Sequence, residues 1–106
     1  MKLALLNTTI VTTDGLYEVR TIKLEEAQNL AQSNELDSAV GHDTTAQIMS
    51  DLLGVEVETC RQQFSQEIGQ MALVFKLKGR PPEGVILSRQ EIEAMGYEFK
   101  LMVRKE

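Results

Sequence analysis

Short apolar runs alternate with amphipathic stretches along this chain, and their periods predict a succession of strands and helices. Leu3–Leu6 is an unbroken apolar run, read as a buried strand that Asn7-Thr8-Thr9 ends. Asp14-Gly15 is a turn signal ahead of a second strand, Tyr17–Ile22, so the first two strands can be read as a hairpin. Leu24, Ala27, Leu30 and Ala31 share one face of a short helix with Glu25 and Glu26 near its positive end, and it stops near Ser33-Asn34. Leu36 to Val40 reads as a short strand leading into Gly41-His42. From Thr44 the spacing turns helical: Thr44-x-x-Gln47 has the form of a capping box, Ile48, Met49, Leu52 and Leu53 make the apolar stripe, and Gly54 suits the left-handed stop.

The second half follows the same logic. Val55-Glu56-Val57-Glu58 alternates like a strand, whereas Cys60 to Gln70 is polar and fits neither template. Met71 to Lys78 begins as a continuous apolar run and ends in alternation, the pattern of a central strand whose far end emerges into water. Gly79-Arg80-Pro81-Pro82-Glu83-Gly84 is a loop, because its prolines cannot continue a central strand. Ser88-x-x-Glu91 is a second capping box, opening a helix through Ile92 and Met95 that Gly96 ends, and Tyr97 to Val103 alternates as the last strand. Met49, Met71, Met95 and Met102 all fall at apolar positions and are assigned to core packing. This order predicts an α/β fold, a single domain over residues 1–106 with a central mixed sheet flanked by short helices.

Length and composition sharpen that picture. The 106 residues suffice for one domain that buries roughly two thirds of the unfolded surface. Hydrophobic residues make up 42% and charged residues 25%, so no part of the chain is composed like a disordered segment. The net charge of -5 argues against general binding to duplex DNA or to anionic membranes, both of which need a broad basic surface. Any phosphate ligand must then meet a local cluster of arginines. With one cysteine, Cys60, and one histidine, His42, the chain forms no internal disulfide, no thiolate cluster and no multi-histidine metal site, so no cofactor is expected. No apolar run approaches the roughly 20 residues of a membrane span, and Met1 to Leu6 is too short for a signal peptide. A cytoplasmic protein is expected, in the host cytoplasm if a virus encodes it.

The candidate chemistry starts at His42, directly before a helix. A helix start offers unpaired N–H groups and the positive end of the macrodipole, so an anion could rest there beside a group able to exchange protons near neutral pH. That combination points to acid–base chemistry on a phosphate. Read singly, the residues have plainer roles. His42 could be a surface residue beside a helix cap, Glu83 a solvated turn residue, and Arg61 and Arg80 surface charges paired with carboxylates. Asn7 could simply close its strand, and Cys60 carries no neighbouring signal that would activate its thiol.

Taken together, these pieces form a set. Gly41-His42-Asp43-Thr44-Thr45 with its apolar helix and Gly54, then Arg61, then Arg80-x-x-Glu83-Gly84 resembles the viral ring nuclease family, in register over residues 41–92, and the strand ending at Asn7 also fits. Members of that family are small proteins of archaeal viruses and bacterial mobile elements. Some are type III anti-CRISPR proteins that destroy cyclic tetra-adenylate. The resemblance implies a homodimer with the cyclic nucleotide on its two-fold axis and metal-independent cleavage of phosphodiester bonds. It makes His42 the general acid and Glu83 the second catalytic group, with Asn7, Arg61 and Arg80 touching the ligand. Gly41, Asp43 and Thr44, at the helix start, would line the same site. Two departures stand out: Pro81-Pro82 in the loop, and Ile10 where a hydroxyl residue is expected, which Thr8 or Thr9 could replace.

RNA chemistry suits such a set. The 2′-hydroxyl can attack the adjacent phosphorus if it is aligned, deprotonated and given a protonated leaving oxygen, and the product is linear with a cyclic 2′,3′-phosphate end. A two-fold dimer presents each contact twice and so matches a ligand with two-fold symmetry, and doubled Arg61 and Arg80 would face its four phosphates. Two rivals compete: a protein that binds the messenger without cutting it, which needs the arginines but not His42 and Glu83, and a small nucleic-acid-binding regulator, which the acidic charge disfavours.

Overall fold

A computed structural model describes residues 2–9, 11–79 and 88–106. The expected loop 79–84 lies outside these residues apart from Gly79, and so do Arg80 and Glu83. In chain order the elements are β1 (Leu3–Leu6), β2 (Tyr17–Ile22), α1 (Leu24–Ser33), β3 (Leu36–Ser38), α2 (Asp43–Leu53), β4 (Met71–Leu77), α3 (Arg89–Met95) and β5 (Tyr97–Arg104). They build one five-stranded mixed sheet in the order β2-β5-β4-β1-β3. β1 runs parallel to β3 and β4, and β5 runs antiparallel to β4 and β2.

The centre of the sheet goes to the chain's most continuously apolar strands, because only side chains of that kind can be buried on both faces. All four residues of β1 are buried, as are Ala72 to Phe75 of β4. Leu3, Leu5, Leu73, Phe75, Phe99 and Leu101 point to one face, where α1, α2 and α3 supply Ala27, Ala31, Met49, Leu52 and Ile92 to a single cluster. Ala4, Leu6, Ala72, Val74 and Met102 point to the other face, and Phe64 from the irregular segment after α2 closes over them. The α/β architecture is thus the expected one, with its helices gathered on one side.

Local chemistry sets the element ends. Ser88 caps α3 in a complete box: its Oγ accepts from the Glu91 amide at 3.2 Å, and the Glu91 carboxylate accepts from the Ser88 amide at 3.1 Å. Gly54 ends α2 at φ 70°, a conformation that costs glycine nothing, and its amide donates to the Ser50 carbonyl. Two glutamines of α1 satisfy the last carbonyls of α2, Gln28 Nε2 donating to Leu52 O at 2.9 Å and Gln32 Nε2 to Leu53 O at 3.0 Å. Arg20 of β2 donates to Glu26 of α1 at 2.7 Å, and that hydrogen bond raises the pKa of the guanidinium above its ordinary value.

Three expectations are corrected. β1 and β2 form no hairpin: β1 is flanked by β3 and β4, while β2 crosses to the far edge and pairs with β5. The ten residues between them exceed a tight turn. Thr12 Oγ1 donates to Phe64 O at 2.8 Å, which fastens this connection over the second core. Thr44-x-x-Gln47 is not a capping box, because α2 starts two residues earlier than such a box requires and His42 is the N-cap, without a side-chain cap bond. Val55 to Glu58 is not a strand. The Val57 amide donates to Ser50 Oγ at 2.9 Å and the Glu58 carbonyl accepts from Ser38 Oγ, so side chains take the groups a ladder would need.

That run instead guards the edge of the sheet. β3 is only three residues long, and Gln62 Nε2 covers its rim by donating to Ser38 O at 2.6 Å and Asp37 Oδ1 at 3.0 Å. Among the described residues no helix is long and apolar enough to cross a membrane.

Candidate functional site

Parallel pairing fixes where a site can form. β1, β3 and β4 point the same way, so their carboxyl ends lie along one rim of the sheet, the usual location of ligand crevices in such folds. Asn7 follows β1 at that rim, and β3 leads through Ala39 and Val40 to Gly41 and His42. Val40 is fully buried and its carbonyl accepts from the Cys60 amide at 2.8 Å, which anchors the turn just before His42.

His42 therefore enters α2 from a fixed point. Its carbonyl accepts from the Ala46 amide at 3.0 Å, starting the helical ladder, while its imidazole is exposed and makes no capping bond. The first-turn amides of Asp43, Thr44 and Thr45 precede the ladder and receive no side-chain cap from His42. Arg61 is brought alongside by a direct bond, Nε donating to Gly41 O at 3.0 Å. Gly41 leaves room for this approach: a Cβ on it would come within 3.2 Å of the Arg61 Cγ.

Three adjoining hollows meet at His42. The first, of about 510 Å³, lies between the start of α2 and Arg61 and includes Gly41, Asp43 and Thr44. The second, about 500 Å³, runs from Gly41 and Arg61 to Asn7 and Thr8. The third, about 740 Å³, continues from Asn7, Thr8 and Thr9 across Val74 to Lys76 and Lys100. No carboxylate lines the second or the third.

The structure thus brings together six of the eight residues singled out in the sequence: Asn7, Gly41, His42, Asp43, Thr44 and Arg61. Arg80 and Glu83 lie outside the described residues. Gly79, the last residue described before them, follows the carboxyl end of β4 on the same rim. Sequence reasoning missed Lys76 and Lys100, whose nearness to His42 depends on the order and register of β1, β4 and β5. Their one signal is that each is a charged position of its strand on the face that carries Ala72, Val74 and Met102, opposite the helices. Among the described residues no group of three or more His, Cys, Asp or Glu side chains is placed to hold a metal ion. Cys60 is a half-buried free thiol held by its backbone bond to Val40.

Fold and site together define an α/β domain with a cationic groove at the carboxyl ends of its parallel strands. The chain belongs to the STIV B116-like family, whose sequence model matches residues 3–99. It is 35% identical over 106 residues to the uncharacterized protein YddF of Bacillus subtilis (strain 168), with 98% of each chain covered. It is also 35% identical over 108 residues to the uncharacterized protein ORF117 of Acidianus two-tailed virus, covering 96% of this chain and 92% of that one. Its fold is similar to that of B116 of Sulfolobus turreted icosahedral virus, with a TM-score of 0.80 at 22% identity over 97% of this chain and 99% of the other. Relatives thus occur in viruses and in a bacterium, as the resemblance to small viral and bacterial proteins leads one to expect.

Proposed function

We propose that this protein is a ring nuclease that opens cyclic tetra-adenylate, the second messenger of type III CRISPR systems, without a metal ion. The observation that carries the reading is the placement of His42. The chain's one histidine stands where three hollows meet, at an uncapped helix start beside Arg61. A phosphodiester seated there would receive the first-turn N–H groups of α2 and the guanidinium of Arg61.

In the proposed reaction a ribose 2′-oxygen attacks the adjacent phosphorus. The new 2′-O–P bond forms as the P–O5′ bond breaks, His42 gives its proton to the departing O5′, and Glu83 takes the proton of the 2′-hydroxyl. The product is linear, with a cyclic 2′,3′-phosphate at one end. No water and no oxidant or reductant enters the step. Asn7, Arg61 and Arg80 position the ligand, and a homodimer with the ligand on its two-fold axis supplies each of them twice. The setting is the cytoplasm, that of the host where a virus encodes the protein.

The test is incubation of the purified protein with labelled cyclic tetra-adenylate in excess EDTA, with products separated by chromatography. Linear product with cyclic phosphate ends is the expected result. Tight binding without cleavage would replace the enzyme with a messenger-sequestering protein, and neither binding nor cleavage would remove the reading altogether.

The contact between Gly41 and Arg61 gives a second test. In Gly41→Ala the new methyl group pushes on the exposed Arg61 stem and disturbs the 3.0 Å bond that aims its guanidinium. Affinity for cyclic tetra-adenylate is expected to fall several-fold while the melting temperature hardly moves, because the arginine can swing into solvent. Unchanged affinity by calorimetry would remove Arg61 orientation from the binding account.

A further inference from the structure

We infer that Lys100 is a phosphate-positioning residue and that, with Lys76, it extends the ligand site from His42 onto the helix-free face of the sheet. The inference rests on the ring-nuclease reading for the identity of the ligand. It draws its support from sheet register and charge.

Lys100 on β5 stands opposite Val74 of β4 on one side and Thr21 of β2 on the other, and Lys76 stands opposite Glu98. Lys76 and Lys100 are therefore diagonal neighbours on one face, a relation that places their Cα atoms about 7–8 Å apart. Both line the 740 Å³ groove that reaches His42.

The chain carries 16 acidic and 11 basic residues besides His42, yet two lysines and the histidine share this groove with no carboxylate. Two hollows away from His42 are mixed or acidic: one has Asp37 and Glu67 beside Lys2, another has Glu56 and Glu58. With Glu98 only at its margin, a groove lined by two lysines on an acidic protein fits an anionic occupant.

Internal pairing does not account for Lys100. Its Nζ donates to Thr21 Oγ1 at 3.3 Å and lies 4.0 Å from Glu98 Oε1, at the outer limit of an ion pair. An ammonium has three N–H donors, so the Thr21 bond aims the group and leaves donors for a ligand. Glu98, opposite Lys76 and 4.0 Å from Lys100, offsets only part of the repulsion between these two like charges, and an anion between them would offset the rest. Such a pair weakens the empty protein slightly and strengthens the complex, which is the signature of a binding residue.

The experiment compares wild type, Lys100→Gln, Lys100→Arg and Lys76→Gln, with Lys23→Gln as an exposed lysine outside the groove. For cyclic tetra-adenylate, Lys100→Gln is expected to raise KM about fivefold or more with kcat nearly unchanged, as loss of one charge-assisted hydrogen bond would do. The slope of log affinity against log salt should shrink by about 0.7 for the lost phosphate contact. Lys100→Arg should recover most of the affinity, and no lysine variant should melt earlier than wild type. If wild type cleaves but Lys100→Gln behaves like Lys23→Gln, the inference is overturned and the ring-nuclease reading stands. If wild type ignores the cyclic nucleotide, that reading fails, and titration with inorganic pyrophosphate followed by NMR decides the groove by itself. Saturable shifts at Lys76 and Lys100 that vanish in Lys100→Gln sustain an anion site, and their absence overturns it.

Discussion

Replacing His42 with alanine is expected to slow cleavage of cyclic tetra-adenylate by about 10²–10⁴-fold, the range for loss of a general acid, with ligand affinity nearly unchanged. The imidazole is exposed and makes no capping bond, so its removal takes no hydrogen bond from α2 and leaves the fold intact. A cap-forming residue would behave differently, since its loss costs about 1 kcal/mol of stability. His42→Ala should therefore melt with the wild type while losing its chemistry. Single-turnover kinetics on the purified variant measure the effect, and a variant that cleaves at the wild-type rate would falsify the role given to His42.

The second large effect concerns stability. Phe75 lies on the central strand β4, is 1% exposed, and stands directly opposite Phe99 of β5, their ring centroids 5.2 Å apart, with Tyr97 at 6.0 Å. Phe75→Ala removes one ring of this three-ring group and leaves a cavity in the larger core, which costs about 3–5 kcal/mol. A domain of this kind has only about 5–15 kcal/mol of stability to lose. The melting temperature should drop by more than about 10 °C, and urea titration should show a lower midpoint with little change in slope. A loss below about 1 kcal/mol would mean that the surrounding side chains collapse into the space and that the aromatic group is not the keystone of β4 and β5.

Most of the fold was legible in the sequence because local signals and tertiary environment agreed. The unbroken run from Met71 marked the central strand, Ser88-x-x-Glu91 marked the start of α3, and Gly54 marked the stop of α2. Failures came where a local signal was outbid by a distant partner. Asp14-Gly15 looked like a hairpin turn, yet β2 finds its partner in β5, some 80 residues further on by the pairing of Ile22 with Phe99 through Tyr17 with Arg104. Val55 to Glu58 alternates, but its backbone is claimed by the hydroxyls of Ser38 and Ser50, which no strand template anticipates. Thr44 followed by Gln47 has the letters of a box, but the anchored Val40 delivers the chain into the helix two residues too early.

The candidate site divides in the same way. Gly41 to Thr44 were legible because they are contiguous, and the structure adds Arg61 to them by one hydrogen bond and Asn7 by the parallel register of β1. Lys76 and Lys100 were not legible, since 24 positions separate them in the chain and only the β4–β5 register makes them neighbours.

One segment ties these observations together. Residues 58–64 cover the rim of β3 through Gln62, hold Arg61 against Gly41, and close the second core with Phe64. A transient opening that lifts this strap would bare Ala4, Leu6 and Val74 to water and carry Arg61 out of reach in the same motion. Local unfolding and loss of affinity would then be one event, so that under the proposed binding an anion gripped by Arg61 would protect the far face of the sheet from hydrogen exchange without touching that core.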